Sequence, residues 1–212
     1  MRPSILALFL SAAAHAHASD LAARDPMEGY TIVPASFEIE VAPGQVETLT
    51  GTVQEVVAKA KAINPNFVLP PAAESPGSSD APLSRVKRAL LDRRGEVKFC
   101  WNSDAFWWAE VPHIYSGLQY LRSLHKGKVT LGAGPRVCSR VSCSYNTAIM
   151  LCNDNNHALT LNGGWDSVAN SAQTIMNVCG IWRDNNDNRW TSGQNFEDSK
   201  WNTILTGKGQ KC

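Results

Sequence analysis

The side chains able to do acid–base chemistry in the second half of this 212-residue chain are His113, His125 and His157, with Glu110 and Arg122 close to the first two. A base, an acid and a cation for phosphate is the set that RNA cleavage needs. Spacing argues against a shared site. His113 and His125 fall on one expected helix, and their separation puts about 18 Å between them along its axis. Nothing in the sequence recruits His157 to either. Structural or surface histidines are the better reading, and no catalytic residue is expected. Ser144 and Ser192 lack a local activating base. No nucleophile elbow, paired-carboxylate motif, P-loop or glycine-rich dinucleotide turn occurs.

Two polar runs invite a calcium reading, Asn153-Asp154-Asn155-Asn156 and Asp184-Asn185-Asn186-Asp187-Asn188. The second spaces oxygen ligands at Asp184, Asn186 and Asn188 as the first half of an EF-hand loop does. Arg189 then takes the glycine position, and Asn195 stands where a bidentate Glu belongs. Asn and Asp are also ordinary turn formers. Turns are expected, with no metal and no cofactor.

Tryptophan is the remaining chemistry. All seven Trp lie after residue 95. Most are expected in the core, since Trp offers the largest apolar area per residue. Trp101, Trp107 and Trp108, with Phe106, have a second reading as a platform for sugars or a protein anchor. Trp190 sits in the polar 183–195 stretch, where exposure is expected. Trp107, Trp108 and Trp190 are therefore the candidate recognition surface.

The six cysteines, Cys100, Cys138, Cys143, Cys152, Cys179 and Cys212, share the same half. They form no zinc-like CxxC pair, and no His-x3–5-His spacing accompanies them. Three disulfides are expected, with 15 pairings open. The context is secretory. Arg2 supplies a positive n-region, Ile5 to Ala14 an apolar h-region, and Ala16-His17-Ala18 a cleavage site, so residues 1–18 read as a signal peptide cut after Ala18. Its apolar run is too short for a bilayer core that needs roughly 20 helical residues. No stable membrane insertion is expected.

Residues 19–94 hold neither Cys nor Trp and end in two dibasic pairs, Lys87-Arg88 and Arg93-Arg94. Residues 69–84 are rich in Pro, Ser, Ala and Gly and read as an extended linker. A basic pair after such a linker is accessible to a kexin-type processing protease. Residues 19–94 are thus expected to be a pro-segment and 95–212 a self-sufficient mature domain. Within the pro-segment, Val46, Leu49, Val53, Val56, Ala60 and Ile63 recur at steps of three and four. That spacing predicts an amphipathic helix over about 44–64, starting after Pro43-Gly44. One such helix cannot bury its own stripe. It either docks on the mature domain or remains a loosely ordered spacer.

Residues 95–212 carry 11 basic and 9 acidic residues, a net charge of +2. That is too small to point to nucleic acid as a partner. A helix is predicted from Pro112, with Ile114, Leu118, Leu121 and Leu124 on one face and Gly127 as its stop. A second follows a cap at Asp166 or Ser167, with Val168, Ala169, Ala172, Ile175, Met176 and Cys179 in one stripe and Gly180 ending it. Cys179 is expected to staple that helix to the sheet. Strands are predicted at 97–101, 142–153, 194–196 and 201–205. The expected fold class is α+β, a disulfide-stapled two-layer sandwich with two helices on one face of a mainly antiparallel sheet.

The run Cys138-Ser139-Arg140-Val141-Ser142-Cys143-Ser144-Tyr145-Asn146 resembles small cysteine-rich secreted proteins of filamentous, often plant-associated, fungi. Ala148-Ile149, Cys152-Asn153-Asp154-Asn155, Ser192-Gly193-Gln194 and Trp201-Asn202 fit the same group. The resemblance covers about residues 98–206. More distantly, the element order with a helix ending in Cys-Gly is similar to smut-fungus killer toxins and necrosis-inducing extracellular effectors, which implies a split βαβ layout. No catalytic residue is carried over from either group. The expectation is a secreted, non-enzymatic, toxin-like effector that binds a protein or glycan target outside the cell. A carbohydrate-binding module is the alternative, and a small secreted ribonuclease is the weakest of the three.

Overall fold

The computed structural model of the chain describes residues 27, 29–72, 96–100, 108–124, 127–207 and 210–212. The signal peptide, most of the linker and the dibasic pairs Lys87-Arg88 and Arg93-Arg94 lie outside the described residues. So do Trp101, Phe106, Trp107 and His125.

The fold is α+β, with mostly antiparallel sheets and, among the described residues, three helices; the six cysteines form three disulfides. In chain order the elements are β1 (Thr31–Val33), β2 (Ser36–Ala42), β3 (Gln45–Thr50), α1 (Val53–Ile63), β4 (Glu96–Phe99), β5 (Ala109–Glu110), α2 (Val111–Ser123) and β6 (Val129–Leu131). Then come β7 (Val137–Ser144), β8 (Thr147–Asn153), β9 (Leu159–Leu161), α3 (Gly164–Cys179), β10 (Trp182–Arg183), β11 (Arg189–Thr191), β12 (Gly193–Glu197) and β13 (Trp201–Thr206). The main sheet runs β1-β7-β8-β13-β12-β4. Every pairing in it is antiparallel except β1 with β7.

The stretch 142–153, expected as one strand, is the turn and second half of a hairpin. Ser144 pairs Thr147 across Tyr145 and Asn146, whose φ angles are 48° and 58°. A two-residue hairpin loop needs positive φ at both positions to match the twist of its strands. Asn adopts that conformation readily; Tyr is an uncommon occupant, which hid the turn.

The strand parities of the hairpin divide the core. Val141, Ile149, Leu151 and Leu205 join the buried faces of all three helices in one apolar cluster. Cys138, Ala148, Met150, Cys152 and Ile204 form a smaller cluster that Met27 and Tyr30 pack against. Gly117 lets α2 lie close on the sheet, since a Cβ there would run into the Ser142 side chain and come within 3.0 Å of Ile149 Cδ1. The Cys100–Cys179 disulfide ties the end of β4 to the last residue of α3, the staple expected from Cys179. Cys138–Cys152 joins directly opposed residues of β7 and β8, and Cys143–Cys212 anchors the C-terminus.

The helix expected over 44–64 is shorter. Pro43-Gly44 is instead the turn of the β2–β3 hairpin, with Gly44 at φ 75°. The Val46 and Leu49 spacing matched a helix by coincidence, and Val46 is 62% exposed on a strand. The true start is a capping box: Thr52 Oγ1 accepts from the Glu55 N–H, and Glu55 Oε2 accepts from the Thr52 N–H at 2.7 Å. Hydrogen bonds from Thr52, the backbone one foremost, hold the Glu55 carboxyl below its ordinary pKa. The cap was legible as the signature Thr-x-x-Glu before an apolar run.

Residues 35–69 contribute to the core. Phe37 is fully buried and lies flat on Trp165, with ring centroids 4.1 Å apart. Val53, Val56 and Ala60 of α1 are fully buried in the same cluster as Leu118 and Leu121 of α2. Residues 35–69 share this apolar cluster with the later part of the chain, as the docked reading of the N-terminal helix expects.

Phe37→Ala is expected to destabilise the chain by about 3–5 kcal/mol, the usual cost of emptying a buried aromatic site. Val46→Ala should stay within about 0.5 kcal/mol, as exposed positions do. Equilibrium denaturant unfolding measures both. A large Val46 effect would restore the long-helix reading.

Candidate functional site

α3 ends where Gly180 turns the chain, at φ 74° and ψ −179°, a conformation only glycine adopts without strain. The Gly180 N–H still donates to Met176 O, closing the helix. The next two residues, Ile181 and Trp182, emerge exposed at 39% and 49%. Trp182 then pairs across the β10–β11 hairpin with Trp190, and β11 pairs with β5, which follows Trp108. Three tryptophans meet as a result. Trp108 and Trp182 are edge to face at 4.6 Å, Trp182 and Trp190 are tilted at 5.1 Å, and Trp108 and Trp190 are 6.1 Å apart.

Trp108 and Trp190 of the expected recognition surface are thus brought together, and Trp107 lies outside the described residues. Trp182 was missed. Its position just after a helix-stopping glycine was the available signal, because such a residue starts outside the helix's buried stripe. The three rings line a cleft of about 220 Å³ with Cys179–Trp182, Thr191 and Ser192. Two polar atoms on its lining residues, Trp108 Nε1 and Thr191 Oγ1, are buried with no hydrogen-bond partner among the described residues. Phe99 and Val178, 49% and 61% exposed, flank the adjacent Cys100–Cys179 disulfide. Large apolar side chains rarely gather at a surface without a partner to cover them.

The run 184–188 closes the hairpin that sets this cluster. Asp184 Oδ1 accepts from the backbone N–H of Asn186 at 2.8 Å and of Asn188 at 2.9 Å, and Oδ2 accepts from Asn188 Nδ2 at 2.8 Å. Desolvation works to raise the Asp184 pKa, but these three hydrogen bonds outweigh it and hold the carboxyl below its ordinary value. Both oxygens are occupied by the loop itself, so the turn reading accounts for the run. Asn153 plays a similar part in the other polar run. It is fully buried, and its Nδ2 donates to Gly132 O and His157 O, both at 2.8 Å.

Among the described residues the acid–base side chains have separate partners. His113 stacks on Tyr145 with centroids 4.4 Å apart and lies 3.3 Å from Glu110. The His157 ring engages the neighbouring Ala158 carbonyl. Arg122 is buried near the far end of α2, about 13 Å along the axis from His113. Desolvation pulls its pKa down against the opposing charge of Asp166.

Comparison with protein-family models, curated proteins and solved structures gives no match.

Because the folded-state pKa of Asp184 is depressed, its turn is fully formed above the ordinary carboxylate range and is lost only as pH falls through the lowered value. Amide exchange at Asn186 and Asn188 should therefore stay slow through the ordinary titration range and accelerate below it. Asp184→Ala should make both amides exchange fast at neutral pH and remove the acid step. Unchanged protection in that variant would dismiss the turn as the hairpin's closure.

Proposed function

We propose that the chain is a secreted, non-enzymatic binding protein, of the effector or toxin-like kind that its cysteine-rich segment resembles. Its target is a protein outside the producing cell. The observation that carries this reading is the cluster of Trp108, Trp182 and Trp190, half-open on a disulfide-anchored hairpin and flanked by Phe99, Val178 and Ile181. Clustered aromatic anchors of this type dominate binding energy at protein interfaces. A rigid mount also lowers the ordering cost of association.

Three disulfides support passage through an oxidising compartment. Among the described residues no helix is long and apolar enough to cross a membrane. The signal peptide, the kexin-type cut after residue 88 or 94 and the fungal kinship belong to the same proposal. So does the killer-toxin-like split βαβ layout, which is supported by two helices after β4 on one face of an antiparallel sheet.

A glycan target is the second reading, favoured by the two unpaired polar atoms beside the rings.

Wild type and Trp182→Ala are to be compared for retention by immobilised plant extracellular-fluid proteins and by chitin and cellulose. The substitution should lower retention on the protein support at least tenfold, with stability reduced by less than about 1.5 kcal/mol, the range of one aromatic pair. Equal retention of the two proteins on every support would remove the tryptophan cluster as the site. Loss confined to chitin or cellulose would establish the glycan reading instead.

A further inference from the structure

We infer that cutting the chain between residues 70 and 95 leaves a two-chain molecule, in which the N-terminal fragment stays bound as a permanent non-covalent subunit. This rests on the processing reading only for where the cut is made. All three disulfides lie within residues 100–212, so none can hold the fragment after cleavage. What holds it must be packing and hydrogen bonds, and three independent contacts supply them.

The first is aromatic and apolar. Phe37, Val53, Val56 and Ala60 are fully buried in the cluster that contains Trp165 and Leu118. The second is a strand. β1 adds to the β7 edge of the main sheet, with Thr31, Ile32 and Val33 opposite Val137, Cys138 and Ser139, and the Thr31 N–H donates to Arg136 O at 2.8 Å. The third is a side chain used as a strand. The register of β7 on β8 shifts between Arg140 and Ser142, and the Gln54 amide fills in there. Gln54 Nε2 donates to Ser142 Oγ at 2.8 Å, and Gln54 Oε1 accepts from the Cys143 N–H at 3.1 Å.

Neither part is complete alone. A hairpin and an 11-residue helix are too small to persist in water by themselves. Without them, the other part exposes Trp165 and an unpaired sheet edge, a template for wrong pairing. The bound fragment also leaves the tryptophan cleft open, since every residue lining that cleft lies after residue 107.

The purified full chain is cut with a dibasic-specific protease, or, should the pairs resist, at a protease recognition sequence substituted for residues 76–82. It is then passed through native gel filtration, with intact mass measured across the peak. Both fragments should co-elute at equal stoichiometry and separate only in denaturant. In the cut protein Gln54→Ala should weaken association about tenfold, through two lost hydrogen bonds at a part-buried site. Phe37→Ala should weaken it at least about 100-fold. Elution of the N-terminal fragment on its own, whatever the state of the remainder, overturns the proposal. Whether cells make the cut is read separately from the mass of secreted material. An uncut secreted chain removes the processing reading and leaves the association result standing.

Discussion

The flat contact of Phe37 on Trp165 is the constraint on which the architecture turns. Trp165 sits in the first turn of α3, and Phe37 on a strand of the N-terminal hairpin. Their stacking fixes how the hairpin, α1 and α3 share one interior. With Phe37 in place, α1 lies on β7 beside α2. An aromatic pair contributes about 0.5–1.5 kcal/mol beyond area burial. Its larger effect is geometric, because two large rings in contact leave few alternative packings.

Beneath α3 the interior changes character from apolar to polar. Ser171 bridges to Thr203 at 2.8 Å and receives a hydrogen bond from Asn195 at 2.8 Å. On the neighbouring strands Gln194 donates to Asn202, and Asn202 to Asp154. Buried polar groups cost free energy unless paired, so such a chain of bonds selects one register of β12 on β13. That register places Gly193 under the Cys100–Cys179 disulfide, where a Cβ would come within 2.8 Å of Cys179 Sγ. Sheet, helix and disulfide thus converge just behind the tryptophan cleft.

The legible parts of the fold were those with strong local signals. The stripe from Val168 to Cys179 and the Gly180 stop marked α3, although the helix begins earlier, at Gly164, and takes Asp166 into its first turn, where a negative charge suits the helix dipole. Pro112 marked the start of α2 equally well. The N-terminal hairpin was hidden because Val46 and Leu49 fit a helical period by chance, while Thr52 and Glu55 carried the true boundary. The β7–β8 turn was hidden by a tyrosine in a position that favours Gly or Asn. Of the tryptophan cluster, Trp108 and Trp190, both half-buried, were legible in the sequence as candidates. Their meeting with Trp182 was not, since β5, β10 and β11 are two or three residues each and are defined by pairing alone.

The parallel pairing of β1 with β7 bears on the order in which the molecule assembles. Thr31 finds its partner only when Val137 has been made, and Phe37 must wait for Trp165. Each of these contacts joins residues more than a hundred positions apart, and contacts so distant in sequence slow folding. The segment that holds Thr31 and Phe37 carries no cysteine that could mispair. All three disulfides lie in the later region, so β1 and α1 close over a part of the molecule whose covalent cross-links they do not share.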